Sequence, residues 1–333
     1  MSALDGLHSL LRERGWVLAD GATGTNLFAA GLSPGEAPEL WNDSHPQRIK
    51  ALIASFVAAG VDIVLTNSFG CNARRLKLHA AESKTVHLAR LAAEIAREAA
   101  DAGQGNVVVA GSVGPTGDLI YPVGELTEAD AREIFFEQIS GLKRGGADVI
   151  WIETMSDLCE LEAAAAASVA AGMPWCATMS FDSSGRTMMG IDPGSLNAWV
   201  GDSDPPPEAF GANCGVGSSD LVRTVLEMAA AAPPAPIIAK ANAGIPKYTD
   251  GRIHYDGTPD LMADFAELSR NAGASIIGGC CGTTSEHLLR MRRRLESVPT
   301  GSTPEVEEIT RRLGPLTPPA PTGGRRRKPR RSV

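Results

Sequence analysis

The chain has 333 residues, 43% hydrophobic and 21% charged, enough to bury a large core. Its formal net charge is −8 although the last nine residues, RRRKPRRSV, carry six Arg or Lys; removing those six leaves −14, an acidic body that argues against a nucleic-acid enzyme. The opening MSALDGLHSLLRERGW lacks an apolar secretory region, no run approaches the roughly 18 apolar residues of a membrane span, and the cysteines are too scattered for a small disulfide scaffold. A reducing cytoplasm is the expected location.

In chain order, eight apolar, β-branched runs recur: WVLAD (16–20), DIVLTN (62–67), VVVAGSV (107–113), DVIWIET (148–154), WCATMSF (175–181), AFGANC (209–214), IIAKAN (237–242) and SIIGGC (275–280). Each is continuous rather than alternating, as expected of parallel strands covered on both faces. The segments between them read as helices. Ile49, Leu52, Ile53, Phe56 and Val57 share one helical face, TEAD at 127–130 resembles a capping box, and Thr258-Pro259 opens a helix whose Leu261, Phe265 and Leu268 repeat on one side. Eight strand–helix units predict an α/β fold of the (β/α)8 TIM-barrel class, with a doubly wound open sheet as the competitor. The barrel is expected to span 1–298. Residues 299–333 form an extension, disordered from about Gly314 by its Pro, Gly and Arg content.

In such barrels the functional groups gather at the C-terminal ends of the strands. Those ends offer Asp20, Asn67, Glu153, Asn213, Cys214, Asn242, Cys280 and Cys281. Cys214 ends the sixth run; Cys280 and Cys281 end the eighth, between glycines that let adjacent side chains turn toward one point. Neighbouring cysteines are badly placed to bridge each other. Three converging thiolates with a free fourth position match a catalytic zinc site, since structural zinc sites are closed by four protein ligands. Cys159 and Cys176 read as small buried hydrophobes, and Cys71 is left open. His254 and His287 receive no role. GSVGPTG (111–117) reads as a tight strand-to-helix turn lining the pocket, since it lacks the spacing of a phosphate loop.

DGATGT (20–25), TNSFG (66–70), GSVGPTG, IET (152–154), GANCG (211–215) and GGCCGT (278–283) together resemble the zinc-dependent homocysteine S-methyltransferases, over about Trp16 to Leu295. Whole-chain similarity is to bacterial enzymes described as betaine–homocysteine methyltransferases. The resemblance implies one zinc ion per chain on Cys214, Cys280 and Cys281, with the homocysteine sulfur as fourth ligand. The metal-activated substrate thiolate then attacks the methyl group, and no other catalytic group is required because the donor leaves neutral. The resemblance also implies that Asp20 and Glu153 hold the homocysteine ammonium. Asn213 would orient the site.

The methyl donor is less constrained. A quaternary ammonium such as glycine betaine wants an aromatic face, and Trp41, then Phe69, are the candidates. The animal betaine enzymes carry tyrosines where this chain has Gly70 and Thr154, and a long C-terminal dimerisation arm where about 35 residues are expected to follow the last barrel helix here. S-methylmethionine, another sulfonium, or a corrinoid partner protein therefore stay open as donors. A homo-oligomer is compatible with the sequence. Two other classes compete: a barrel lyase or aldolase using Lys240, and a non-enzymatic zinc or thiol redox sensor. The former leaves the three cysteines unexplained.

Overall fold

The computed structural model describes residues 3–318, apart from Gln104, Ser183, Pro246, Asp250 and Gly251. Its strands are β1 (Val17–Leu18), β2 (Ile63–Leu65), β3 (Val108–Val113), β4 (Val149–Met155), β5 (Trp175–Met179), β6 (Ala209–Cys214), β7 (Ile237–Ala241), β8 (Lys247–Thr249), β9 (Arg252–His254) and β10 (Ala274–Gly279). Eight of them pair in parallel in the order β1-β10-β7-β6-β5-β4-β3-β2. An Ala19–Ile63 bridge and the Asp62 N–H donated to Leu18 O at 2.7 Å join the two edges into a (β/α)8 barrel. All eight apolar runs become barrel strands. The antiparallel β8–β9 pair is an addition that the helix-and-strand rhythm did not anticipate.

The runs are continuous because alternate residues enter two different cores. Ile63 and Leu65 point into the barrel with Val17, Ala19, Trp151 and Ile276, whereas Val64 joins the layer between sheet and helices. The helix Ala3–Arg14, unforeseen from the sequence, lays Leu4, Leu7, Leu10 and Leu11 against the inner cluster and closes the N-terminal end of the barrel. The opposite end is thus left for chemistry.

The expected helix signals work locally. Helix Pro46–Ala58 buries Ile49, Ile53 and Phe56. Thr127 and Thr258 accept the N–H groups of Asp130 and Leu261, caps worth about 1 kcal/mol each. Gly273, left-handed at φ 114°, ends helix Pro259–Ala272.

The C-terminal extension is attached to the barrel. Helix Val306–Leu313 packs Ile309 and Leu313 inward, while Arg312 pairs with Asp264 at 2.6 Å and Glu267 at 2.9 Å. Hydrogen bonds from Arg312, outweighing partial burial and aided by Arg294, draw the Glu267 carboxyl down to about 2. Contacts continue past Gly314, where disorder was expected to begin: Ser219 donates to Gly314 O at 2.7 Å, and Thr317 donates twice to Asp220. Residues 319–333, including the basic run, lie outside the described residues. No described helix is long and apolar enough to cross a membrane.

Candidate metal centre and active-site cavity

Strand register brings the thiols together. Cys214 of β6 and Gly279 of β10 both stand opposite Ala241 of β7, so Cys214 and Cys280 leave the strand ends on either side of β7 at one level. The sulfurs of Cys214, Cys280 and Cys281 all lie within 4.8 Å of one another. Zinc–sulfur bonds of about 2.3 Å in a tetrahedron place sulfurs roughly 3.8 Å apart, so the trio fits zinc with a small contraction. Gly278 and Gly279 belong to the strand itself. The sharp turn is made by Gly282, at φ 79°, where a Cβ would lie 2.4 Å from the Tyr255 side chain.

Side-chain amides fix this loop. Asn242 donates to Gly215 O at 3.0 Å and accepts from Cys281 N at 3.1 Å, tying the two cysteine turns together. Asn213 is nearly fully buried. Its Oδ1 accepts from Thr154 N at 2.9 Å and Thr178 Oγ1 at 2.8 Å, and its Nδ2 donates to Thr154 Oγ1 at 2.7 Å and faces Cys280 Sγ at 3.8 Å. Thr154 and Cys214 both adopt left-handed backbone, at φ 61°, which costs of order 1 kcal/mol each and persists because this brace holds it. Asn213 therefore stands behind the thiols rather than in the cavity. Asn242 and Tyr255, to which the sequence assigned no role, belong to the same shell.

Opposed thiol–thiol hydrogen bonds, burial and mutual repulsion leave all three thiols raised, Cys214 to about 11, Cys281 to about 12 and Cys280 higher still. Burial, reinforced by Cys281, raises Tyr255 as well. The protein thus concentrates sulfur donors that only a metal would hold as thiolates at neutral pH.

Next to the thiols lies a line of buried charge. Asp20 is fully buried, accepts from Leu65 N at 2.7 Å and pairs with Lys240 at 2.6 Å. Lys240 is among the residues lining the cavity, and Asp20 lies behind it. Burial would lower the Lys240 ammonium, but Asp20 and Glu153 together raise it, opposite to what a lysine nucleophile needs. Glu153 does line the cavity, with Ser112 Oγ donating to its Oε1. Burial pushes its carboxyl up, against Lys240 and Ser112.

The cavity, of about 610 Å³, is walled by the turns after β1, β2, β4, β6 and β10. Among its aromatic walls are Phe28, Phe69 and Tyr255. Trp41 is not one of them. It is 2% exposed, its indole N–H donates to Glu36 at 3.0 Å, and its ring is covered by the Arg48 guanidinium at 4.9 Å and by His45 at 4.7 Å. The sequence placed Trp41 in the correct turn; only packing shows that its face is already taken. His287, given no role from sequence, is buried, caps its own helix with Thr284 and reaches Gly257 O at 2.8 Å.

The model of the homocysteine S-methyltransferase family matches residues 17–295. Methionine synthase of Mycobacterium tuberculosis (strain ATCC 25618 / H37Rv) is 30% identical over 289 residues, covering 82% of this chain and 24% of that protein. Methionine synthase of Mycobacterium leprae (strain TN) is 29% identical over 308 residues, 87% of this chain and 25% of that one. The chain spans about a quarter of the length of these curated relatives. Among solved structures, the homocysteine methyltransferase MmuM of Escherichia coli superposes with a TM-score of 0.72 in both its oxidized form (24% identity) and its metallated form (23%), each over 86% of this chain and 99% of that one. That likeness supports the barrel fold.

Proposed function

The chain belongs to the homocysteine S-methyltransferase family, and from that premise we propose that it moves a methyl group from a small onium donor to the thiol of homocysteine, giving methionine. The observation that carries the reading is the convergence of three sulfurs on the wall of a large cavity beside Glu153 and Lys240. Cys214, Cys280 and Cys281 would hold one zinc ion. When bound, the metal supplies the Lewis acidity that keeps a substrate thiol deprotonated at neutral pH.

The chain's own residues then do the rest. Glu153, oriented by Ser112, accepts the homocysteine ammonium. Asp20 keeps Lys240 charged and in place at the cavity floor. Asn213 and Asn242 position the thiols. Phe69 and Phe28 offer ring faces to a cationic methyl group. The donor departs neutral, so no general acid is needed. Glycine betaine is the donor expected from sequence, with a sulfonium as the alternative. Cys159, expected to be buried, is exposed, whereas Cys176 is buried as expected.

The test is a donor screen. Protein purified without chelator should carry about one zinc per chain and form methionine from homocysteine with an onium donor. Zinc-loaded protein that binds homocysteine but methylates it with no onium donor would refute the reading and leave a corrinoid-dependent methyltransferase or a thiol sensor in its place.

A further inference from the structure

Beyond residue 295, where the family match ends, the chain returns to the metal end of the barrel. Helix Val306–Leu313 is held by the buried Ile309 and Leu313 and by Arg312, paired with Asp264 and Glu267. The residues after it run as a strap to the start of helix Ser218–Ala230, the first element after the Cys214 turn. There Ser219 Oγ donates to Gly314 O at 2.7 Å. Thr317 donates twice to Asp220 Oδ2, from its N–H at 3.1 Å and from its hydroxyl at 2.9 Å. Asp220 is 7% exposed, and its other oxygen accepts from Arg223 at 3.2 Å. A buried carboxylate engaged on both oxygens fixes the segment that carries it.

The Cys214 turn depends on such fixing. Gly215, Val216 and Gly217 alone separate Cys214 from the helix, and Gly217 at the N-cap offers no side chain to tie its start. Cys214 is left-handed, a conformation that persists only where its surroundings hold it. Behind the turn lies a void of about 10 Å³, at the limit of room for one water, lined among others by Cys214, Asp220, Leu221 and Thr224. Packing does not wedge the turn from behind, so hydrogen bonds decide where it stands. They form a continuous series from the strap inward. Ser218 Oγ donates to Asn242 O at 3.2 Å, and the Asn242 amide holds Gly215 O and Cys281 N at 3.0 and 3.1 Å.

We propose that Thr317 is a positioning residue for the metal centre. Its two hydrogen bonds to Asp220 hold the start of helix Ser218–Ala230, and through Ser218 and Asn242 they hold the turns that carry Cys214 and Cys281. This rests on the zinc reading of the three cysteines and extends it to a segment outside the barrel's own strands and helices. The physical reason is preorganisation. Thiols kept near their liganding positions before the metal arrives lose less conformational freedom on binding it, and affinity rises accordingly.

The experiment measures the zinc Kd of the full chain and its variants by competition with a chromogenic chelator at pH 7, with circular dichroism to show that each is folded. Thr317→Val removes the hydroxyl at nearly constant volume and leaves the N–H tie. It should weaken zinc binding by about 3- to 10-fold, at or below the lower end of what losing an outer-shell partner costs. Thr317→Ser keeps both donors and should bind zinc as the native chain does. Asp220→Ala should weaken binding at least as much as Thr317→Val. The double variant should be no weaker than Asp220→Ala alone, because Thr317 acts only through Asp220. Thr127→Ala removes a hydrogen bond of similar strength at a helix start elsewhere in the barrel and should leave zinc affinity unchanged, which separates positioning from general loss of stability. Native affinity in Thr317→Val, additive losses in the double variant, or an equal loss in Thr127→Ala overturns the assignment and leaves the thiol site in place. A native chain that takes up no zinc removes the site itself and overturns both readings.

Discussion

Replacing Lys240 by methionine keeps most of the side chain's volume and removes its charge, so the loss measures what that charge does. Lys240 and Asp20 are 2.6 Å apart with side-chain exposures of 2% and 1%. Removing one partner of a buried pair costs about 3–5 kcal/mol if the other stays ionised. The abandoned carboxylate has a second option, to take up a proton. With an ordinary aspartate value near 3.9, that costs about 4.2 kcal/mol at pH 7 and about 1.5 kcal/mol at pH 5, at 1.36 kcal/mol per unit. The cheaper route governs, so Lys240→Met should destabilise by about 3–4 kcal/mol at pH 7 and by about 1.5 kcal/mol at pH 5. The sign follows because the variant gains a group protonated only when folded, and its deficit shrinks as protons become plentiful. Urea unfolding of both proteins at the two pH values reads the difference; Glu153, which also loses the Lys240 charge, is pushed further up and adds to it with the same sign. A deficit below about 1 kcal/mol at pH 7, or one equal at both pH values, would refute the idea that Lys240 neutralises a buried carboxylate.

Cys214→Ala, Cys280→Ala and Cys281→Ala should each abolish stoichiometric zinc, measured by elemental analysis, with the barrel's circular dichroism retained. Because the thiols stand at about 11, about 12 and above, zinc uptake by the native chain at pH 7 should release close to three protons, and its affinity should rise steeply with pH. A pH-independent affinity would contradict thiolate ligation. Asn213→Ala removes three short hydrogen bonds, worth about 2–4 kcal/mol of stability in a buried site, and should weaken zinc affinity as well; unchanged metal affinity would reduce Asn213 to a packing residue. Trp41→Ala should cost about 3–5 kcal/mol in stability, from its burial, while leaving the donor KM within about twofold. A selective rise in that KM would restore Trp41 to the donor site.

Sequence alone determined the number of barrel strands, the barrel class and the three thiols, because each rests on a local signal. Continuous apolar runs mark strands buried on both faces, caps mark helix starts, and a vicinal cysteine pair at a strand end has few structural uses. The strand-end rule also found Glu153 and Phe69, since β4 and β2 deliver them to the cavity directly. What sequence could not weigh is competition for a side chain after folding. Asp20 sits at a strand end as expected, but Lys240, distant in sequence and two ladder places away, takes its charge first. Trp41 lies in the right turn, yet Arg48 and Glu36 occupy its face and its N–H. Asn242 stands at a strand end as the sequence shows, but its tie between Gly215 and Cys281 exists only because β7 lies between β6 and β10. Closure of the sheet decides this, because strands far apart in the chain become neighbours or opposites only once the ring is formed.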